Sequence, residues 1–304
     1  MAHHFESGFF VAEPAWHGLG TVVEDAPNTS DAIRLAGLDW TVESMPVFDG
    51  QGSEIDGWKA QTRSDNGRVL GVTRAQFKPL QNHEAFQFFD YFLRDGDCSL
   101  ESAGALQDGK TVWILAKINV EADVSPGDRI DPYFLLSNGH AGNLKLRTDM
   151  VNVRVVCNNT LSAALGDSGA SIAFMHRSKV VDSLLAVRET VDLAKRSFAL
   201  SIEDFRILKS RGLDVEGFRR YVQEVFESEE NKVPRCFEEL ERSFDGGGPG
   251  ADLAGHTLWG AYNAVTDWID HRRGRSDETR LQASWFGVGA ELRERAMAVA
   301  KEMV

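Results

Sequence analysis

The sequence predicts an α+β fold in which an antiparallel sheet precedes a helical half. Three observations carry this reading. Apolar and polar residues alternate with a strand-like period of two through much of the chain up to Val156. Two turn dipeptides that accept positive φ, Asn66-Gly67 and Asp108-Gly109, sit between apolar runs as hairpin signals. From Ser178 onward apolar residues recur at 180, 184, 185, 187, 191 and 194, close to a helical period. Strands followed by helices, rather than strands alternating with helices, argue for α+β.

In chain order, Asn28-Thr29-Ser30-Asp31 signals a helix start and Gly37 a stop, predicting a short helix over 31–36. Trp40–Phe48 alternates like a half-buried strand. Trp58–Arg63 and Arg68–Thr73 flank the first hairpin turn, with both Asn66 and Gly67 expected at positive φ. Asn82 is the expected cap of a helix reaching Leu93, with Ala85, Phe86, Phe89 and Leu93 on one face. Ser102–Gln107 and Lys110–Val120 form the second hairpin. Asp131–Ser137 and Lys145–Val156 continue the sheet; in the latter Val151, Val153 and Val155 face one way and Asn152 and Arg154 the other. Asn158-Asn159 is expected to cap a short helix that Gly166 stops. Helices then follow at 178–199, about 201–210, 214–227, 252–272 and 290–303. The run Gly246-Gly247-Gly248-Pro249-Gly250 reads as a linker. The expected division is a β-rich domain over 1–177 and a mostly helical region over 178–304.

Composition narrows the function classes. With 42% hydrophobic and 26% charged residues the chain can bury a full core without staples. No apolar run reaches the ~18 residues a membrane span needs, and the first residues lack a basic-then-apolar secretory pattern. A cytoplasmic, membrane-free protein is therefore expected. Cys98, Cys157 and Cys236 are odd in number, with no CxxC pair, which argues against a disulfide framework or a thiolate zinc site. The net charge of −13 opposes general nucleic-acid binding. The charge is uneven, however. Residues 58–78 carry Lys59, Arg63, Arg68, Arg74 and Lys78 against Asp65 alone, and 137–180 carry Lys145, Arg147, Arg154, Arg177 and Lys179 against Asp149 and Asp167.

Several segments resemble one family. They are Pro14-Ala15-Trp16-His17-Gly18-Leu19-Gly20, Val69-Leu70-Gly71-Val72, Gln81-Asn82-His83-Glu84-Ala85-Phe86, Arg154-Val155-Val156-Cys157-Asn158-Asn159-Thr160-Leu161 and Thr257-Leu258-Trp259-Gly260-Ala261-Tyr262-Asn263-Ala264-Val265. In order and spacing they are similar to the phage/plasmid-like family of "domain of unknown function 932". That resemblance implies phage, prophage or plasmid context and little chemistry. In arrangement alone, a hairpin-rich sheet leading into a long helix also resembles phage single-strand annealing proteins of the Erf and Sak group. Those assemble into rings and hold single-stranded DNA in a basic groove, an analogy of fold rather than of motif.

The candidate DNA-contacting residues are Lys59, Arg63, Arg68, Arg74, Lys78, Lys145, Arg147, Arg154, Asn158, Arg177 and Lys179. On a strand Lys59, Gln61 and Arg63 share a face that could follow a phosphate backbone, and Trp58 or Phe77 could stack on bases. The competing reading is a solvated hairpin face. Arg177 and Lys179 lie near the start of the long helix, where a phosphate would gain from both dipole and cations; pairing with Asp149 and Asp182 is the alternative. Asn158-Asn159-Thr160 reads as a phosphate or base-edge contact, or simply as a helix cap. Trp16-His17-Gly18 is a ligand pocket or an aromatic anchor. Asn263, Asp267 and His271 line one helix side, too few for zinc without further ligands. No GxSxG, HExxH, Walker or EF-hand pattern appears, so no catalytic residue, metal or cofactor is assigned. The expectation is a single-stranded DNA-binding, homo-oligomeric annealing protein of recombination, with a phage nuclease as candidate partner. The alternatives are an assembly protein without nucleic-acid binding, and a nucleotide-acting enzyme using the Asn158/Asn159 corner with His17 or His176.

Overall fold

The structure is a computed structural model and describes residues 5–11, 21–94, 96–142, 147–156, 159–162, 171–172, 184–229, 232–274, 280, 283–285 and 287–304. The chain divides into two compact units. One gathers Met1–Asn119, Phe134–Met150 and Ala170–Asp192; the other gathers Val120–Tyr133, Val151–Gly169 and Leu193–Val304.

The first unit opens with β1 (Phe5–Val11) and β2 (Thr21–Val23), which run parallel with Phe9 opposite Thr21. Helix α1 (Thr29–Leu35) begins two residues ahead of the expected 31–36, the Asn28 side chain accepting from the Asp31 N–H, and Gly37 at φ +64 follows its end. A separate antiparallel sheet comprises β3 (Val42–Phe48), β4 (Glu54–Arg63) and β5 (Val69–Arg74). The turn between β4 and β5 is looser than expected. Only Gly67 takes positive φ, at 69°, and the loop spans Ser64–Gly67, closed by the Arg63 N–H on the Arg68 carbonyl at 3.0 Å. Asn66 acts through its side chain instead, accepting from the Arg68 N–H at 2.9 Å. Gln81 lies along β3, accepting from the Val42 N–H at 2.8 Å and donating to the Val42 carbonyl at 3.1 Å.

Helix α2 (Asn82–Arg94) is capped differently from the sequence expectation. Glu84 reaches back to accept the Gln81 N–H at 2.8 Å, half of a capping box. Asn82 is buried, and its amide donates to the Leu38 and Trp40 carbonyls at 3.0 and 3.2 Å. The helix buries Ala85, Phe86, Phe89 and Phe92, with Leu93 only half-buried. Strands β6 (Cys98–Leu106) and β7 (Thr111–Ile118) form the expected second hairpin. Its turn uses three residues at positive φ, Gln107, Asp108 and Gly109. Val112–Ala116 is buried on both strand faces, which explains its unbroken apolar run.

Next come β8 (Ala122–Asp123), β9 (Arg129–Gly139), β10 (Arg147–Arg154), β11 (Asn159–Ser162) and β12 (Ser171–Ile172). The larger sheet has the order β11-β10-β9-β7-β6-β1-β2, with β8 on β9 and β12 on β10. Here the structure decides one open question and reverses one expectation. In β10 the side bearing Thr148, Met150, Asn152 and Arg154 is the buried one, while Val151 and Val153 are half-buried and Val155 is exposed. The expected helix after Asn158 starts instead as strand β11, which pairs with β10 from Val151↔Ser162 to Arg154↔Asn159. A sheet edge offering unpaired N–H and C=O groups outweighs a local capping preference.

Helix α3 (Leu184–Ser210), which belongs to the second unit from Leu193 onward, runs without the expected break near residue 200. Ser201 is accommodated because its hydroxyl donates to the Ser197 carbonyl one turn back, at 3.0 Å. Then come α4 (Val215–Val225), α5 (Phe237–Arg242), a π-helical turn at Ser243–Gly247, α6 (Ala251–Ala254), α7 (Leu258–Asp267) and α8 (Val288–Glu302). Aromatic rings fill the core between them: Phe218 stacks on Phe244 at 4.2 Å, and Phe205 lies 4.8 Å from Trp259. The glycine run is a packing device rather than a linker. A Cβ on Gly247 would stand 2.7 Å from the Arg242 carbonyl oxygen, and one on Gly248 would stand 2.5 Å from the Ser243 hydroxyl.

Candidate nucleic-acid interface

The small sheet has two unlike faces because its side chains alternate. One face carries Gln61, Arg63 and Thr73, all buried, so the side expected to follow phosphates points inward. Gln61 donates to the Thr73 hydroxyl at 2.9 Å and accepts from Ser44 at 2.9 Å. Arg63 is only 4% exposed. It donates to both Asp65 carboxylate oxygens at 3.0 and 2.7 Å and to the Asp108 carbonyl at 3.2 Å, and lies 4.3 Å over the Trp40 ring. That contact holds the Asp65 carboxyl below the usual carboxylate range. Arg63 therefore ties the hairpin to its own unit and cannot present its charge to a phosphate.

The opposite face is open. Met45, Ala60 and Val72 lie in one cross-strand row, with Trp58 opposite Arg74 in the next. The Arg74 guanidinium stacks 4.0 Å over the Trp58 ring. Trp58 is half-buried, while Met45, Val72, Arg74 and the following Lys78 are exposed. Of the remaining hairpin cations, Lys59 pairs with Glu54 at 2.8 Å and Arg68 with Asp108 at 2.6 Å. Exposed pairs of this kind are held weakly and exchange easily with other anions.

The second basic segment is largely committed elsewhere. Arg147 is exposed and paired with Asp149 at 2.6 Å. Arg154 is 1% exposed and its partner Asp128 fully buried. Arg154 donates to the two Asp128 oxygens at 2.5 and 3.0 Å, to the Gly250 carbonyl at 2.8 Å and to Asn263 at 3.2 Å. The Trp259 indole N–H adds a bond to Asp128 at 2.9 Å. A charge buried this deeply is tolerable only because its hydrogen bonds are met, so this arginine is a core residue and not a surface cation. Lys145, Asn158, Arg177 and Lys179 lie outside the described residues, as do Trp16, His17, Cys157 and His176.

The Asn263–Asp267–His271 side of the helix is likewise engaged internally at its first two positions. Asn263 donates to the Trp259 carbonyl at 2.8 Å, and Asp267 accepts from Ser243 at 3.2 Å and pairs with Arg272 at 3.0 Å. Among the described residues no group of three or more His, Cys, Asp or Glu side chains converges as a metal site. Cys98 and Cys236 are buried and stand outside any disulfide, and burial pushes the Cys236 thiol up to about 11, away from thiolate reactivity. Among the described residues no helix is long and apolar enough to cross a membrane.

Sequence reasoning missed Asp128, Gly250 and Trp259 as partners of Arg154, although Arg154 and Trp259 stand in two of the segments that carried the resemblance. No curated protein and no solved structure matches the chain. The family model described as Domain of unknown function (DUF932) matches residues 69–285, a stretch that contains β5, the whole Asp128–Arg154–Trp259 network and the helices that enclose it. With well over half of its length inside that match, the chain belongs to the DUF932 family.

Proposed function

We propose that this protein binds single-stranded DNA on the open face of its small sheet and promotes annealing of complementary strands in phage or plasmid recombination, in the host cytoplasm. One observation carries the reading: the Trp58 ring with the Arg74 guanidinium stacked on it, on an open sheet face with exposed Lys78 shortly beyond β5. An aromatic platform with adjoining cations binds bases by stacking, whatever their identity, and leaves their pairing edges accessible. Annealing needs that combination. The phage or plasmid context and the analogy with ring-forming annealing proteins rest on the resemblance described for the sequence. A partner nuclease belongs to the same proposal.

The test is fluorescence anisotropy of a labelled single-stranded oligonucleotide titrated with protein at low and moderate salt. Binding that weakens steeply with salt, is poorer for duplex and is weakened in Trp58→Ala supports the reading. No binding at low salt overturns it.

A second reading has its own observation. Met45, Val69 and Val72 are about half exposed on the small sheet, and the net charge is −13. An apolar surface on an acidic protein suits a protein partner better than a phosphate backbone. Under that reading the protein assembles without DNA, and anisotropy stays flat at every salt concentration.

A further inference from the structure

Helix α3 carries a second exposed apolar feature, independent of the sheet face. Toward the core it buries Ala194, Phe198, Phe205 and Leu208. On its outward side Leu193, Leu200 and Ile207 are 45%, 58% and 45% exposed. Their spacing is seven residues twice over, so the three side chains form a nearly straight row with about 10.5 Å between steps. Exposed Arg196 and Glu203 stand on one flank of the row, each between two apolar steps. Ala199 beside Leu200 is small and exposed, which leaves room for close approach.

We infer that this face is the contact between two copies of the chain, packed antiparallel about a two-fold axis at Leu200. Charge order decides both the occupant and the direction. With Leu200 opposite Leu200, Leu193 meets Ile207 of the second copy, giving three apolar layers. Arg196 then falls at the height of Glu203 of the second copy, and the symmetry repeats that pair. A parallel two-fold pair would carry the two copies' Arg196 and Glu203 to opposite edges of the contact and give neither charge a partner across it. The face is thus self-complementary in one direction only, as an isologous contact requires. Glu203 already accepts from Arg206 at 2.9 Å within the helix through one oxygen, and a carboxylate has acceptor capacity for a second guanidinium. One helix face is smaller than the ~800 Å² per partner of a standard interface, so the dimer belongs to the weak, concentration-dependent class.

Sedimentation equilibrium of the full chain, without DNA, tests this over a concentration range reaching hundreds of micromolar. The expected result is a monomer–dimer equilibrium. Leu200→Glu should shift its midpoint at least tenfold upward with an unchanged circular dichroism spectrum. Arg196→Glu or Glu203→Arg alone should weaken it, and the two together should restore it. Under mild oxidation Leu200→Cys should form a disulfide dimer well above the wild-type background, whereas Leu193→Cys should not. A monomer at all concentrations, or an unaffected dimer in Leu200→Glu, overturns the proposal. Equal cross-linking at 193 and 200 overturns the antiparallel direction. Because DNA is absent throughout, failure here is distinct from failure of the DNA-binding reading.

Discussion

Asp128 and Arg154 form a two-pronged ion pair with neither side chain open to solvent, roofed by the Trp259 indole and closed by the Gly250 carbonyl. Removing one partner strands the other as a buried charge. Arg154→Ala is expected to cost about 3–5 kcal/mol in urea denaturation. Asp128→Leu combined with Arg154→Met should cost much less than the two single changes summed. Additive losses would show that the pair is not a coupled unit.

Gly250 sits at φ +67, and a Cβ there would stand 2.5 Å from a Val156 methyl and 3.2 Å from the Arg154 guanidinium. Gly250→Ala therefore combines backbone strain with a push on the ion pair, and a loss of about 1–3 kcal/mol is expected. Gly52, also at positive φ but in open space, serves as the control: its alanine variant should lose only the backbone component.

His140 is fully buried, 2.9 Å from Asn82 Oδ1 and edge-on to Trp40, with Arg63 also acting on it. Burial first, and the Arg63 charge second, depress its pKa to about 4. The folded state prefers neutral His140 while the unfolded chain takes up the proton near pH 6.5, so stability rises with pH across that window. As pH falls from 6.5 to 4 the fold should lose about 3 kcal/mol. Asp65 works in a lower window: its pKa is depressed below 3.8, so its contribution is present above that pH and fades beneath it. Chemical denaturation at stepped pH should show the His140 slope, and His140→Gln should flatten it between pH 4 and 6.5.

Trp58→Ala should weaken single-stranded DNA binding by about 1–3 kcal/mol, the value of one stacked base. Arg74→Gln should weaken it less and lower the salt-dependence slope by about one. Anisotropy at three salt concentrations separates the two effects. Trp58→Phe should retain most of the affinity; if it binds as poorly as Trp58→Ala, the ring is not a stacking platform.

Much of the fold could be read from local chemistry. Asn28 and Gly37 bound α1 because each acts on its own neighbours, and Asp108-Gly109 locates the central hairpin because the turn itself demands positive φ. The misreadings came where distant partners decide. Period-two alternation in β10 says that two faces differ but not which is buried; Arg154 faces inward because Asp128 and Trp259, far along the chain, wait there. Gly246–Gly250 looked like a linker because its own composition does not show that it folds back on Arg242 and Ser243 or that Arg154 packs against Gly250. The site was legible only in part. Trp58 and Arg74 were both in view, yet their opposition depends on a register shift between Gln61 and Thr62, without which Trp58 would face Thr73. Arg63 seemed a surface cation because nothing local reveals the Trp40 ring beneath it.

The Gln81 side chain beside β3 has a consequence for how partners can approach. Its amide imitates a neighbouring strand, occupying both backbone groups of Val42, and Pro46 further along offers no N–H at all. Behind the sheet, on the buried side of Gln61, Gly71 of β5 is so close to Ala141 that a Cβ would stand 2.8 Å from its Cα, so that face is covered. The β3 margin is thus guarded against β-augmentation, the route by which an incoming peptide or a misfolded neighbour would extend the sheet. A visitor approaching from the β3 side must lie flat on the open face, and selection by side chains rather than by backbone ladders then sets what is accepted there.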